Sequence, residues 1–178
     1  ARSQELESRG KHIIHLEIGE PDFDTPANVS LAGIKAIANG QTRYNPPAGL
    51  TPLREVIAEY AGRLRGIEIK PSQVIVGPGA KPNLFFPTLA LVNPGDEVIY
   101  PDPGFPTYEA MIGVAGGKPV AVPLLEKNGF SFDLDAFDQL VNPKTKLIIL
   151  NSPSNPTGGV IPIADLEHIA KAALKNNC

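Results

Sequence analysis

Three loops rich in glycine and proline hold the residues of this 178-residue chain that could do chemistry. Gly77-Pro78-Gly79-Ala80-Lys81 follows an apolar run and opens a helical segment. Glycines let the backbone approach a ligand closely, and free N–H groups at a helix start attract an anion, above all a phosphate. The spacing matches neither a Walker A loop nor the three-glycine dinucleotide fingerprint, so a phosphate cradle and a structural turn both stand as readings. Pro103-Gly104-Phe105-Pro106 sets an aromatic ring after a second apolar run, where it either joins the core or stacks on a planar heterocycle. Asn151-Ser152-Pro153-Ser154-Asn155-Pro156-Thr157-Gly158-Gly159 follows a third run. Its prolines fix φ, so Asn155 is held with little entropy left to lose on binding. That amide can meet a flat polar ligand, or serve only the geometry of a tight connector. Phosphate, flat ring and polar ring substituent together describe a phosphorylated aromatic cofactor, and pyridoxal phosphate fits all three.

The elements that must position these loops follow from the spacing of apolar residues. Leu6 to Gly10 reads as the end of a short helix, and Ile13, Ile14, Leu16 and Ile18 as an extended segment entering Gly19-Glu20-Pro21. Thr25 is read as an N-cap with Pro26 at the first helical position, and Asn39-Gly40 closes that helix. Thr51-Pro52 opens a second helix, with Leu53, Val56, Ile57, Tyr60 and Leu64 facing inward and an end near Gly66. Strands are then expected at Val74–Val76, Glu97–Tyr100, Pro119–Val122 and Lys146–Leu150. Helices are expected from Ala80 to Val92 (with Pro87 kinking it), Thr107 to Ala115, Asp135 to Leu140 and Ala164 to Lys175. Alternating β and α predicts an α/β fold: three α/β/α layers around a mostly parallel sheet. Ligands of such folds bind at the carboxyl ends of the strands, where all three loops fall.

Composition narrows the function classes. A net charge of -3 offers no basic field for nucleic acid. The longest greasy stretch, Leu84 to Val92, is interrupted by Pro87 and Thr88 and is too short to span a bilayer. The single cysteine, Cys178, cannot form an internal disulfide. No metal site is read. The expectation is a cytoplasmic protein acting on small molecules.

The order of Gly19-Glu20-Pro21-Asp22-Phe23, Tyr44-x2-Pro47-x-Gly49, Gly79-Ala80-Lys81, Phe105-x2-Tyr108 and Asn155-Pro156-Thr157-Gly158 resembles the class I/II aminotransferases. These are fold type I pyridoxal-phosphate enzymes, and the resemblance points to the aspartate-aminotransferase-like branch over nearly the whole chain. It implies the following roles. Gly19 would offer its backbone near the substrate carboxylate. Tyr44 would reach the cofactor phosphate of a partner subunit in a homodimer. Gly79, Ala80 and Lys81 would line the phosphate, and Phe105, where the family often carries Trp or Tyr, would stack on the pyridine ring. Asn155 would hydrogen-bond the phenolic oxygen. Residues 1–45 would be the amino-terminal arm and part of the small domain, and 46–178 the amino-terminal part of the cofactor-binding large domain.

The resemblance also implies residues expected downstream of this sequence. The family's Schiff-base lysine, its pyridinium Asp and its carboxylate-clamping Arg all follow the Asn-Pro-Thr-Gly loop. Lys118, Lys144 and Lys171 do not stand in the lysine motif's context. Val74–Val76 would be left without its neighbouring strands. The chain therefore reads as the amino-terminal part of an aminotransferase acting on an amino acid, aspartate or glutamate preferred, and a 2-oxo acid, inactive by itself. Other chemistries share these loops: a C–S lyase, a decarboxylase, or a non-catalytic aminotransferase-like domain of a regulator.

Overall fold

The computed structural model describes residues 2–15, 19 and 21–178, in two compact units, Ala1–Pro47 and Ala48–Cys178. The first unit carries α1 (Arg2–Ser8) and α2 (Ala27–Ala38), and α2 ends at Asn39-Gly40 as expected. Thr25 is not its cap. Pro26 takes the N-cap position with ψ 135° and no side chain caps the helix, so the first turn starts one residue late. Proline disfavours helical backbone in the residue before it, which leaves Thr25 outside the cap position. Ile13 and Ile14 are irregular; Leu16, Ile18 and Glu20 lie outside the described residues.

The second unit opens with α3 (Thr51–Arg65), which has Pro52 in its first turn and stops at Gly66 in the left-handed conformation, φ 65°. Of the inward set expected for this helix, only Ile57 is half-buried. Leu53, Val56, Tyr60 and Leu64 are exposed, whereas Ala58 and Gly62 are buried. A Cβ on Gly62 would lie 2.7 Å from the Ile67 carbonyl. Arg54 ties the helix down through Nε to Val74 O (2.8 Å) and Nη2 to Pro71 O (2.7 Å). Helical periodicity identifies an apolar stripe, but only a neighbouring surface makes that stripe interior.

Val74–Val76 is not a strand. After a 3-10 turn at Pro71–Gln73 it runs without a ladder, with Val76 N–H donating to Ala48 O at 3.0 Å and Ile75 74% exposed. β propensity supplies no hydrogen-bond partners, and none of the described strands lies beside this segment.

The sheet contains β1 (Glu97–Asp102), β2 (Lys118–Leu125), β3 (Ser131–Phe132) and β4 (Thr145–Ile148) in the order β3-β2-β1-β4. β1 is parallel to β2 and β4, and β3 is antiparallel to β2. The helix α4 (Ala80–Leu91) leads into β1, α5 (Thr107–Val114) and α6 (Leu134–Leu140) run between strands, and α7 (Ile163–Asn176) follows β4. Strand residues alternate between two cores. Val98, Leu147 and Ile149 join Leu84 and Phe85 of α4 and Met111 and Ile112 of α5. Ile99, Val122 and Ile148 join Phe137 of α6 and Ile169 of α7. Helices therefore cover both faces, giving the three α/β/α layers around a mostly parallel sheet that the alternation implied. Strands covered on both faces read as continuous apolar runs, and Val98 and Ile99 are both fully buried. β3 has no counterpart among the expectations. It is two residues long, too short for a period, and is held by Ser131 Oγ donating to Asp165 Oδ2 at 2.6 Å.

At the end of the sheet where the parallel strands begin, Glu97 accepts hydrogen bonds from Asn142 Nδ2 (2.8 Å) and Lys118 Nζ (2.9 Å). This clasp joins the starts of β1 and β2 to the turn before β4. The Asn142 hydrogen bond, then that of Lys118, hold the Glu97 carboxyl below the usual carboxylate range, against the upward push of burial. A native pKa below the unfolded one means stability that is present above the unfolded value and lost as pH falls through the native one. Glu97→Gln is expected to cost about 1–2 kcal/mol at neutral pH. The penalty should begin to shrink as pH falls below the ordinary glutamate value of about 4.3 and vanish once the native carboxyl, held lower, takes up its proton. Urea unfolding across pH measures this; a penalty independent of pH would contradict it.

Candidate functional site

β1 and β4 run parallel and adjacent, so the chain leaving each emerges at the same edge of the sheet. Phe105 lies just beyond β1, and the Asn151–Gly159 loop just beyond β4. The third loop enters through α4, which packs with α5 on the face of the sheet carrying Val98 and Ile149. Gly79 is the N-cap of α4, with φ 92°, a backbone conformation that a side chain would strain. Its carbonyl accepts from Asn83 Nδ2 at 3.1 Å, and its N–H donates to Gly77 O at 3.0 Å. A Cβ on Gly77 would collide with the Asn83 amide, so this turn is packed against its own helix. The N–H groups of Ala80 and Lys81 open the first turn, where no intrahelical acceptor exists, and Pro82 next to them has none to leave unpaired. The space beside Gly79 is open: a Cβ placed there would meet nothing within 4 Å. Backbone donors without intrahelical acceptors at a helix start fit a phosphate.

Lys81 Nζ lies 5.8 Å from the centroid of the Phe105 ring, within cation–π range. Phe105 is half-buried and meets Tyr108 edge-on, with centroids 5.9 Å apart and planes at 81°. The turn leading to Phe105 needs Gly104, because a Cβ there would run into the Pro101 carbonyl. Tyr108 is buried, which raises its hydroxyl pKa. At the head of the third loop, Asn151 accepts from the Asn155 N–H. Lys81, Phe105 and Tyr108 are thus in contact across two of the loops, and Asn151 is joined to Asn155 within the third.

The Asn155 loop is rigid by its own bonds. Ser154 N–H donates to Gly159 O (2.8 Å), Gly158 N–H to Ser154 O (2.7 Å), and Ile161 N–H to Ser152 Oγ (3.0 Å). A Cβ on Gly159 would lie 2.7 Å from Gly129 O and 2.8 Å from Phe130 Cβ, so the loop rests directly on that turn. The peptide bonds before Pro103, Pro153 and Pro156 are cis. Asn155 is exposed at the top of this frame.

Gly19 and Tyr44 belong to the first unit. Gly19 is exposed, and Tyr44 is fully exposed in a loop with Thr42 and Arg43. Asn151 received no role from the sequence; its signal was its place at the head of the loop, four residues before Asn155. Among the described residues no cluster of His, Cys, Asp and Glu could hold a metal, and no helix is long and apolar enough to cross a membrane.

Residues 11–178 match the family described as aminotransferase class I and II. The chain is 44% identical to a probable aspartate/prephenate aminotransferase of Thermus aquaticus, over 99% of its own length and 46% of that protein. Among solved structures it superposes on a double mutant of Thermus thermophilus aspartate aminotransferase with a TM-score of 0.94 at 40% identity, covering 99% of this chain and 46% of that one. It superposes on an aromatic aminotransferase from Pyrococcus horikoshii with a TM-score of 0.89, also at 40% identity, covering 99% and 48%. The chain spans a little under half the length of these relatives.

Proposed function

This chain belongs to the class I and II aminotransferases, and on that premise we propose that it supplies the cofactor half-site for pyridoxal-phosphate-dependent amino transfer between an amino acid and a 2-oxo acid. The observation that supports the proposal is that the Lys81 ammonium stands over the Phe105 ring just beyond β1, while the Asn155 loop leaves the adjacent parallel strand β4 at the same end of the sheet. Pyridoxal phosphate, when bound, supplies an electron sink for the pair left on the substrate α-carbon. The Ala80 and Lys81 N–H groups hold the phosphate, with Gly79 giving the backbone room. Phe105 presents its face to the pyridine ring and fixes its tilt. The Asn155 amide donates to the phenolic oxygen. Gly19 offers its backbone toward the substrate carboxylate, and Tyr44 extends to the phosphate of a partner subunit in a cytoplasmic homodimer.

The Schiff-base lysine, the pyridinium Asp and the carboxylate-binding Arg would come from the portion of a relative-length protein that this chain does not span. Aspartate or glutamate is the proposed amino donor. The names of several relatives and the Lys81 charge support it, and rates with aspartate against an aromatic amino acid test it.

The test compares products. A protein of the relatives' length should move the amino group from aspartate to 2-oxoglutarate, strictly dependent on the 2-oxo acid. Release of ammonia with pyruvate, or of carbon dioxide, would assign a lyase or a decarboxylase instead. The 178-residue chain, mixed with pyridoxal phosphate and reduced with borohydride, should give no single stoichiometric lysine adduct; one unique adduct would place the Schiff-base lysine here.

A further inference from the structure

The phosphate-type turn at Gly77–Lys81 is reached through Val74–Val76, and none of the described strands fixes that approach with a ladder. Other groups hold it. Arg54, half-buried in the first turn of α3, donates through Nε to Val74 O at 2.8 Å and through Nη2 to Pro71 O at 2.7 Å. Its own N–H donates to Leu50 O at 3.0 Å, which seats the residue in the helix. Two residues past Val74, the Val76 N–H donates to Ala48 O at 3.0 Å, and a Cβ on Gly49 would lie 2.8 Å from Val76 Cβ. Val76 then leads into Gly77, into Gly79 at the N-cap of α4, and so to the Ala80 and Lys81 N–H groups. Both acceptors of the guanidinium are main-chain carbonyls, 20 and 17 residues along the chain, at the two ends of the 3-10 turn Pro71–Gln73. A planar charged fork on two carbonyls fixes direction as well as distance. Tying α3 down would need only one of them.

We infer that Arg54 is a positioning residue for the phosphate cradle: its fork holds both ends of the Pro71–Gln73 turn, and through Val74–Val76 it sets the direction in which the chain enters Gly77–Lys81. The inference deepens the proposed function and rests on it only for the identity of the ligand. In a strand, a neighbouring strand would satisfy the Val74 carbonyl; here the arginine takes that place.

Amide hydrogen exchange and backbone nitrogen relaxation in the 178-residue chain test this without any ligand. Arg54→Met keeps the aliphatic stem, and Arg54→Lys keeps the charge without the fork. The Ile149 N–H, which donates to Ile99 O at 2.9 Å inside the sheet, reports global stability. In the Met variant the Val76 amide should exchange roughly five- to tenfold faster, with Ile149 unchanged. The order parameters of Gly79, Ala80 and Lys81 should fall from the rigid range, about 0.85, toward the flexible one, about 0.6. The Lys variant should lie nearer the Met variant than the wild type, and added methylguanidinium should return the Met variant toward wild type. Wild-type behaviour in the Lys variant, or an unmoved Val76 amide and cradle in the Met variant, overturns the inference. Should the Met variant unfold, the Lys variant decides: lowered order parameters with Ile149 unmoved support the inference, and wild-type ones overturn it. In a protein of the relatives' length, Arg54→Met should weaken pyridoxine 5'-phosphate, which lacks the aldehyde, roughly five- to tenfold and leave phosphate-free pyridoxine within about twofold. An equal loss for both would make Arg54 a general structural residue and overturn the inference. If the wild type binds the phosphorylated form no better than pyridoxine, the functional reading fails instead, while the exchange and relaxation results still decide whether Arg54 holds the turn.

Discussion

Replacing Phe105 with alanine should weaken binding of pyridoxine 5'-phosphate roughly five- to a hundredfold in a protein of the relatives' length, the range that loss of one aromatic stacking platform gives. The ring is half-buried, stands edge-on to Tyr108 and has the Lys81 ammonium 5.8 Å from its centroid. Alanine removes the platform and also the partner of that ammonium. Phe105→Trp should keep affinity within about threefold, because a larger ring preserves the stacking face. Titration of cofactor absorbance in the three proteins measures the effect. Equal affinity for the alanine variant would remove Phe105 from the site. Loss of affinity in the tryptophan variant as well would mean that packing against Tyr108, and not stacking, is what the ring provides.

Phe137→Ala should destabilise the chain by about 3–5 kcal/mol, the usual cost of emptying a fully enclosed aromatic position. Phe137 is 0% exposed and meets Phe132 edge-on at 6.3 Å and the His168 ring at 6.4 Å. It joins α6 and α7 to the sheet face that carries Ile99 and Val122. The melting temperature should fall by roughly 10 °C or more. Tyr108 and Phe105 pack in the core on the opposite face of the sheet. Below the lowered melting point, the Asn155 amide should therefore keep its wild-type exchange rate. A loss under about 1 kcal/mol would show that the site collapses around the missing ring and that α6 is held by other contacts. Faster exchange at Asn155 would show that the two faces of the sheet are mechanically coupled.

The residues that carry chemistry were legible because their constraints are local. Gly79 must take a positive φ, the prolines around Asn155 restrict the chain where they stand, and Phe105 follows its strand within a few residues. The same holds for the β1, β2 and β4 runs and for the ends of α3 at Pro52 and Gly66. Thr25 failed as a cap by a shift of one residue, since two adjacent signals, a threonine and a proline, competed for the same helix start. β3 was missed because two residues have no periodicity, and their burial comes from β2 and α7.

By itself the sequence determined which segments turn, which coil and which extend, and that three polar loops end three apolar runs; these are near-neighbour effects of φ restriction and side-chain spacing. Tertiary structure alone decided that Leu53, Val56, Tyr60 and Leu64 of α3 stay exposed and that the Lys81 ammonium stands over the Phe105 ring. Each of these depends on what stands opposite a residue in space, and a hydrogen bond or a buried face exists only when a partner distant in sequence arrives to complete it.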